Sequence, residues 1–303
     1  MQAYPRDLIG YGGKPVHPKW PNQARIAVQF VLNYEEGGEY SVLHGDAHSE
    51  TFLSDIAQAE PYTSRHLSME SLYEYGSRAG FWRIHDTFVT RKLPLTVFAV
   101  TMAMQRNPDV VEAIVNANWE IASHGMRWIH YQNMEKAKEA QHIEASVQLH
   151  QAMLGEKPTG WYTGRTSPHT LALLAERDDI LYCSDSYADD LPYYDNHYSK
   201  PLLMIPYTLD VNDMRFVNQQ GFCTSNHFYT YLRDSFDVLY DEGETCPKML
   251  SIGLHCRIIG HPGRFAGLKR FLDYIAKKDK VWVCTREEIA RHWLQHFPYK
   301  QEG

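Results

Sequence analysis

Side chains able to do chemistry recur at the ends of apolar, strand-like runs. The run Ile26–Tyr34 leads into Glu35-Glu36-Gly37, and a later one stops at Ser123-His124-Gly125. Others end in Gly164-Arg165, Ser184-Asp185, Pro206-Tyr207 and Leu254-His255. Carboxylates and imidazoles are the usual groups of general acid–base catalysis, because they take up and release protons near neutral pH. Taken singly, each has an ordinary explanation: a glutamate pair is usually solvated, and a histidine after an apolar run is often a hydrogen-bonded structural group. Six strand ends carrying such groups at equivalent positions predict a shared site.

A shared site requires strands whose carboxyl ends form one rim. Strand-like runs occupy residues 26–34, 95–100, 119–123, 160–163, 180–184, 202–207, 249–254 and 281–284, with helical patterns between them. Asn107-Pro108 and Ser167-Pro168 each place a capping side chain before a first-turn proline, and Thr285-x-x-Glu288 is a capping box. Ala140, Ile143, Val147 and Leu154 recur at helical spacing within a charged segment. This alternation predicts an α/β fold, a distorted (β/α) barrel of about seven parallel strands with helices outside. Residues 1–303 read as one catalytic domain with an N-terminal extension. Two stretches break the pattern: a polar one at about 36–69, holding His44, His48 and His66, and Leu191–Lys200. Both read as functional loops or oligomer contacts.

Composition narrows the class. Of 303 residues 44% are hydrophobic, and Lys+Arg 30 against Asp+Glu 37 leaves a net charge of −7. That excludes disorder, and no apolar run approaches the ~18–20 residues that span a bilayer. A mildly acidic chain suits neither nucleic acid nor an anionic membrane, so a small-molecule substrate is expected. The first residues show no secretory leader, and five scattered cysteines without a Cys-x-x-Cys pair read as reduced thiols; both predict a cytoplasmic protein. Cys256, beside His255, reads as packing rather than as a nucleophile.

The order of these pieces resembles the polysaccharide deacetylase (NodB homology) family of carbohydrate esterases, and most closely the cofactor-independent allantoinases derived from it. The resemblance spans nearly the whole chain. It is most specific at Asn33–Gly38, Ser71–Gly80, Gly160–Thr166, Ile205–Phe216 and Leu250–Arg257. The departures are informative. Where the parent family carries Thr-Phe-Asp-Asp-Gly, with a base and a metal ligand, this chain reads Asn33-Tyr34-Glu35-Glu36-Gly37. Where the parent has His-(Ser/Thr)-x-x-His, it reads His124-Gly125-Met126-Arg127-Trp128, with His130 two residues further on and expected to face elsewhere on a helix. An indole has no lone pair to offer a cation, so Glu36, His124 and Trp128 are vestigial metal positions, and no metal or other cofactor is expected. Asp189 stands where the parent's Asp-x-x-x-Trp places tryptophan, leaving Tyr187, Tyr193 or Trp161 to supply an aromatic wall.

The resemblance implies hydrolysis of a cyclic amide, the hydantoin ring of allantoin opening to allantoate. Glu35 is expected as general base and His255 as general acid, with Asp185 orienting His255 and Arg165 holding Glu35 ionised. His124 and strand-end amides would meet the oxyanion. Asn33, Glu36, His124, Trp128, Tyr207, Asn212, Asp213 and Arg215 are the expected substrate contacts. A homo-oligomer, a tetramer by resemblance, is expected. The competing readings are an N-deacetylase of chitin or peptidoglycan, and an inactive binding protein on the same fold.

Overall fold

The structure, a computed structural model, describes residues 4–219 and 221–300; the extreme ends of the expected 1–303 span and Gln220 lie outside it. Among the described residues nine strands form one curled sheet. They are β1 (Ile26–Tyr34), β2 (Thr96–Ala99), β3 (Glu120–Ser123), β4 (Gly160–Trp161), β5 (Tyr182–Cys183), β6 (Tyr193–Asp195), β7 (Leu202–Met204), β8 (Lys248–His255) and β9 (Val281–Val283). The order is β6-β7-β5-β4-β3-β2-β1-β8, with β9 also paired to β1. Every pairing is parallel except β6 with β7. The architecture is therefore the expected α/β curled barrel, with an antiparallel edge strand inside the stretch expected to be irregular. Among the described residues β7 and β8 are not paired with each other, and the segment after β7 meets β8 at the bridge Asn212 to Gly253.

The helices are α1 (Leu67–Tyr75), α2 (Phe81–Thr90), α3 (Thr101–Arg106), α4 (Pro108–Asn116), α5 (Lys136–Leu154), α6 (Thr170–Ala175), α7 (Ser225–Glu242), α8 (Cys256–Ile259), α9 (Pro262–Ile275) and α10 (Arg286–His296). Local chemistry sets several starts. Asn107 caps α4 by accepting from Val110 N, and Thr285 with Glu288 closes the capping box of α10. Ser167 accepts from His169 N, but α6 begins only at Thr170.

β1 is the central strand, and all nine of its residues are buried, as expected of a strand covered on both faces. At its start it lies between β9 and β8; further along, β2 takes the place of β9. Ile26, Val28, Phe30, Leu32 and Tyr34 face the main core with Phe81, Phe88, Phe228 and Phe271. Ala27 and Val31 face the lumen with Phe98, Tyr162 and Tyr207. Arg286 fills the floor of that lumen. Its guanidinium donates to Gln29 Oε1 (2.9 Å), Ser251 Oγ (2.8 Å), Ser184 Oγ (3.0 Å), Pro206 O (2.9 Å) and Ile205 O. These acceptors are all neutral, and burial pulls its pKa below the usual arginine value.

Candidate active site

Strand alternation decides which carboxylate reaches the lumen. Gln29 and Asn33 share the parity of Ala27 and Val31, and Glu35 continues it just past the strand. Asn33 Nδ2 donates to Tyr207 Oη (2.9 Å) and to Leu254 O (3.0 Å), fixing the rim where β1 meets β8. Glu35 then lies at the base of a cavity of about 510 Å³ lined also by His124, Trp128, Tyr162, Arg165 and His255.

Glu35 is buried and ringed by one guanidinium and two imidazoles. Arg257 Nη1 stands 2.7 Å from its Oε2, His124 Nε2 3.3 Å and His255 Nε2 3.7 Å from its Oε1. Burial pushes its pKa up, but Arg257, His255 and His124 outweigh that and hold the carboxyl well below the ordinary range. Glu36 points the other way. It accepts from Glu35 N (3.0 Å), lies 3.7 Å from Arg257, and burial raises its pKa despite that cation. A Cβ on Gly76 would overlap Glu36 Oε1 and lie 2.9 Å from Arg257 N, so glycine there lets the π-helical segment Gly76–Gly80, which joins α1 to α2, pack onto this pair.

The partner of His255 is Asp213, not Asp185. His255 Nδ1 lies 2.6 Å from Asp213 Oδ1, while Asp213 Oδ2 accepts from His255 N (2.7 Å) and Ile259 N (3.0 Å). Three donors on one buried carboxylate fix the ring and leave Nε2 facing the cavity. Asp185 instead accepts from Thr163 N (2.8 Å) and Gly164 N (2.7 Å), bracing the loop after β4, and burial raises its pKa. Its position follows from β5, one strand too far round the barrel to reach β8.

Arg165 likewise does not hold Glu35; Arg257 does. Arg165 lies 3.6 Å from the ring centroid of Trp128 and 4.9 Å from that of Phe52, with Glu50 3.6 Å from its Nη1. Arg257 was invisible as a partner because it lies beyond a strand end, in the first turn of α8. Two adjacent buried carboxylates demand a cation, and that demand was the available signal.

Of the other expected contacts, Asn33, His124, Trp128, Tyr207 and Asn212 line the cavity. Glu36, Asp213 and Arg215 are not among the described lining residues: Glu36 is turned under the loop, Asp213 is consumed by His255, and Arg215 lies over the rings of Phe222 and Tyr231 (4.9 and 4.8 Å). Asn212 uses its side chain locally, accepting from Met214 N and donating to Thr208 O. The segment after His124 is irregular rather than helical, which brings His130 to the cavity wall. Tyr187, hydrogen-bonded to Tyr162 Oη (2.9 Å), is the aromatic group at the mouth, whereas Trp161 is buried with its indole N–H on Thr163 and Tyr193 is tied to Ser186. Phe52 and Leu53 come from the long loop, which thereby supplies part of the wall. The amides of His124, Gly125, Thr163, Gly164 and His255 already donate within the protein, so these five are not free to meet an oxyanion.

The curled, mostly parallel sheet with acid–base side chains on its C-terminal rim is an enzyme-like architecture, and comparisons with known proteins give its class. A polysaccharide deacetylase family model matches residues 66–177. A Schizosaccharomyces pombe protein whose name places it among the polysaccharide deacetylases is 48% identical, over 97% of this chain and 98% of its own. The chain belongs to the polysaccharide deacetylase family. Among solved structures, one from Pseudomonas aeruginosa PAO1 described as a probable polysaccharide deacetylase is 58% identical, covering 98% of this chain and 100% of that one, at a TM-score of 0.96. A PuuE allantoinase structure is 56% identical, covering 98% and 99%, at 0.97.

The deacetylase ancestry implies a divalent metal held by an acidic residue and two histidines, and the residues here do not fit one. Of positions 36, 124 and 128, Glu36 is turned onto Arg257 and a backbone amide, and Trp128 has no lone pair to offer a cation. Two guanidinium groups lie against that indole, Arg165 at 3.6 Å and Arg257 at 5.0 Å. A cation placed there would meet fixed positive charge instead of a ligand set. Among the described residues no three His, Cys, Asp or Glu side chains group as a metal site. No helix is long and apolar enough to cross a membrane, among the residues described.

Proposed function

We propose that this protein hydrolyses a cyclic amide without a metal, opening the hydantoin ring of allantoin to allantoate. The observation that carries the reading is the pairing of Glu35 with His255 (3.7 Å) in a cavity whose former metal-ligand position holds Trp128. Likeness to the PuuE allantoinase supports it.

In this mechanism water attacks a ring carbonyl as ionised Glu35 takes its proton. We assign His124, whose Nε2 lies 3.3 Å from Glu35, to the oxyanion. When the C–N bond breaks, His255 Nε2 delivers a proton to the leaving nitrogen, and Asp213 steadies the imidazole through Nδ1. A nitrogen flanked by two carbonyls leaves more readily than an ordinary amide nitrogen, so a Lewis acid is not essential.

The names of the yeast and Pseudomonas relatives favour a second reading, N-deacetylation of an acetylated sugar. Assaying chelator-treated protein on allantoin and on an acetylated chitin oligomer separates the two. Full allantoin turnover after chelation is expected; activity lost with the chelator and restored by zinc, or turnover of the oligomer alone, overturns the proposal.

A further inference from the structure

Arg165 is a buried cation with unused donors. Its side chain is only 6% exposed, yet Nε, Nη1 and Nη2 have no hydrogen-bond acceptor among the described residues. Buried guanidinium groups normally satisfy most of their five N–H donors, since each one left bare carries a desolvation cost. The surroundings explain its fixed position rather than its hydrogen bonding. Trp128 lies under it at 3.6 Å, Phe52 beside it at 4.9 Å, and Glu50 offsets its charge from 3.6 Å. Glu50 is itself committed, accepting from the amides of Thr51 (2.9 Å), Phe52 (3.0 Å) and Tyr40 (3.4 Å). Arg165 lines the same cavity as Glu35 and His255, but its charged partner is a loop glutamate, whereas Glu35 is held by Arg257.

We propose that Arg165 is a specificity-determining residue that binds the ureido oxygen of the substrate, on the flank of the cavity away from the attacked carbonyl. This rests on the allantoin reading and deepens it. With the reacting carbonyl held between Glu35 and His255, a five-membered ring directs its substituent to another part of the wall. The bare donors need a planar oxygen acceptor. A ureido group supplies one, and unsubstituted hydantoin has none there. Trp128 thus does more than remove a metal ligand: its face holds the guanidinium in register, as an unbranched side chain at that position would not. The open-chain product keeps the same ureido group, so Arg165 also binds allantoate.

The test compares allantoin with unsubstituted hydantoin in wild type, Arg165→Gln and Arg165→Lys. The ratio of kcat/KM for allantoin to that for hydantoin is expected to fall about 10- to 100-fold in Arg165→Gln, the loss typical of a charged hydrogen bond. Arg165→Lys should fall between, because it keeps the charge without the planar fork. A purely structural role would lower both substrates together, and an unchanged ratio overturns the assignment. If wild type opens neither ring, the function reading fails, and calorimetry with allantoate decides the role of Arg165 separately. Binding at least tenfold weaker in Arg165→Gln supports it; equal affinity in the two proteins, or no binding to wild type at millimolar ligand, refutes it.

Discussion

Replacing Asp213 with asparagine is the sharpest test of how the site is wired. The carboxylate receives three donors, His255 N and Ile259 N on one oxygen and the ring Nδ1 on the other. Asparagine keeps one acceptor oxygen. The backbone amides are immobile and the ring is not, so that oxygen stays with His255 N and Ile259 N and the NH2 group turns to Nδ1. An imidazolium would then set Nδ1–H against a second donor, and the neutral ring is forced into the opposite tautomer. Holding a catalytic imidazole in the wrong tautomer costs about 10³- to 10⁴-fold in kcat, or ~4–5.5 kcal/mol of barrier. The control is Asp185→Asn. There one of the two bonds from Thr163 N and Gly164 N is lost, which should cost about 1–3 kcal/mol of stability and less than tenfold in rate. Steady-state allantoin hydrolysis and denaturant unfolding of both variants give the answer. A folded Asp213→Asn protein within tenfold of wild type, or Asp185→Asn the slower of the two, would refute the reasoning.

Two further perturbations act on the buried charges. Arg257→Gln removes the cation 2.7 Å from Glu35 and 3.7 Å from Glu36, which should cost about 3–5 kcal/mol in chemical denaturation. It should also raise the Glu35 pKa, so that activity is lost as pH falls at a higher pH than in wild type; superimposable pH–rate profiles would contradict this. Glu39 is a carboxyl that burial pushes up from 4.5 to about 7. Its folded state therefore holds a proton that the unfolded chain releases, and its contribution to stability is complete below about pH 4.5 and lost as pH rises through 7. Relative to Glu39→Gln, wild type should lose up to about 3 kcal/mol between pH 4.5 and 8 in urea titrations. Parallel pH dependence in the two proteins would show that Glu39 does not titrate in this way.

The strand ends were legible because a continuous apolar run and the polar residues that end it are local signals. β1 ends at the expected Tyr34, and Glu35, His124 and His255 meet as their strands dictate. Thr285 and Asn107 cap as read because a cap is a three-residue event. Pairings across the barrel were not legible. Asp185 and Asp213 carry the same side chain near the same rim, and only the bridge from Asn212 to Gly253 places the second beside His255. Arg165 and Arg257 were exchanged for a similar reason: sequence supplies the need for a cation at Glu35 but not which guanidinium the loops deliver. β6 carries little signal because it is a half-buried three-residue edge strand in a tyrosine- and aspartate-rich stretch.

The neighbours of β1 bear on how the chain becomes active during synthesis. Ile26 pairs with Lys248 and also with Val281, and Gln29 is tied to Arg286. The strand that delivers Glu35 thus finds two of its three partners more than 200 residues downstream. Such long-range closure is slow compared with local pairing. A nascent chain halted before residue 248 would hold Glu35 without His255 or Arg257, and with one edge of its central strand open. The proposed site is in this sense a checkpoint on synthesis of the polypeptide, because Glu35 and His255 emerge more than 200 residues apart.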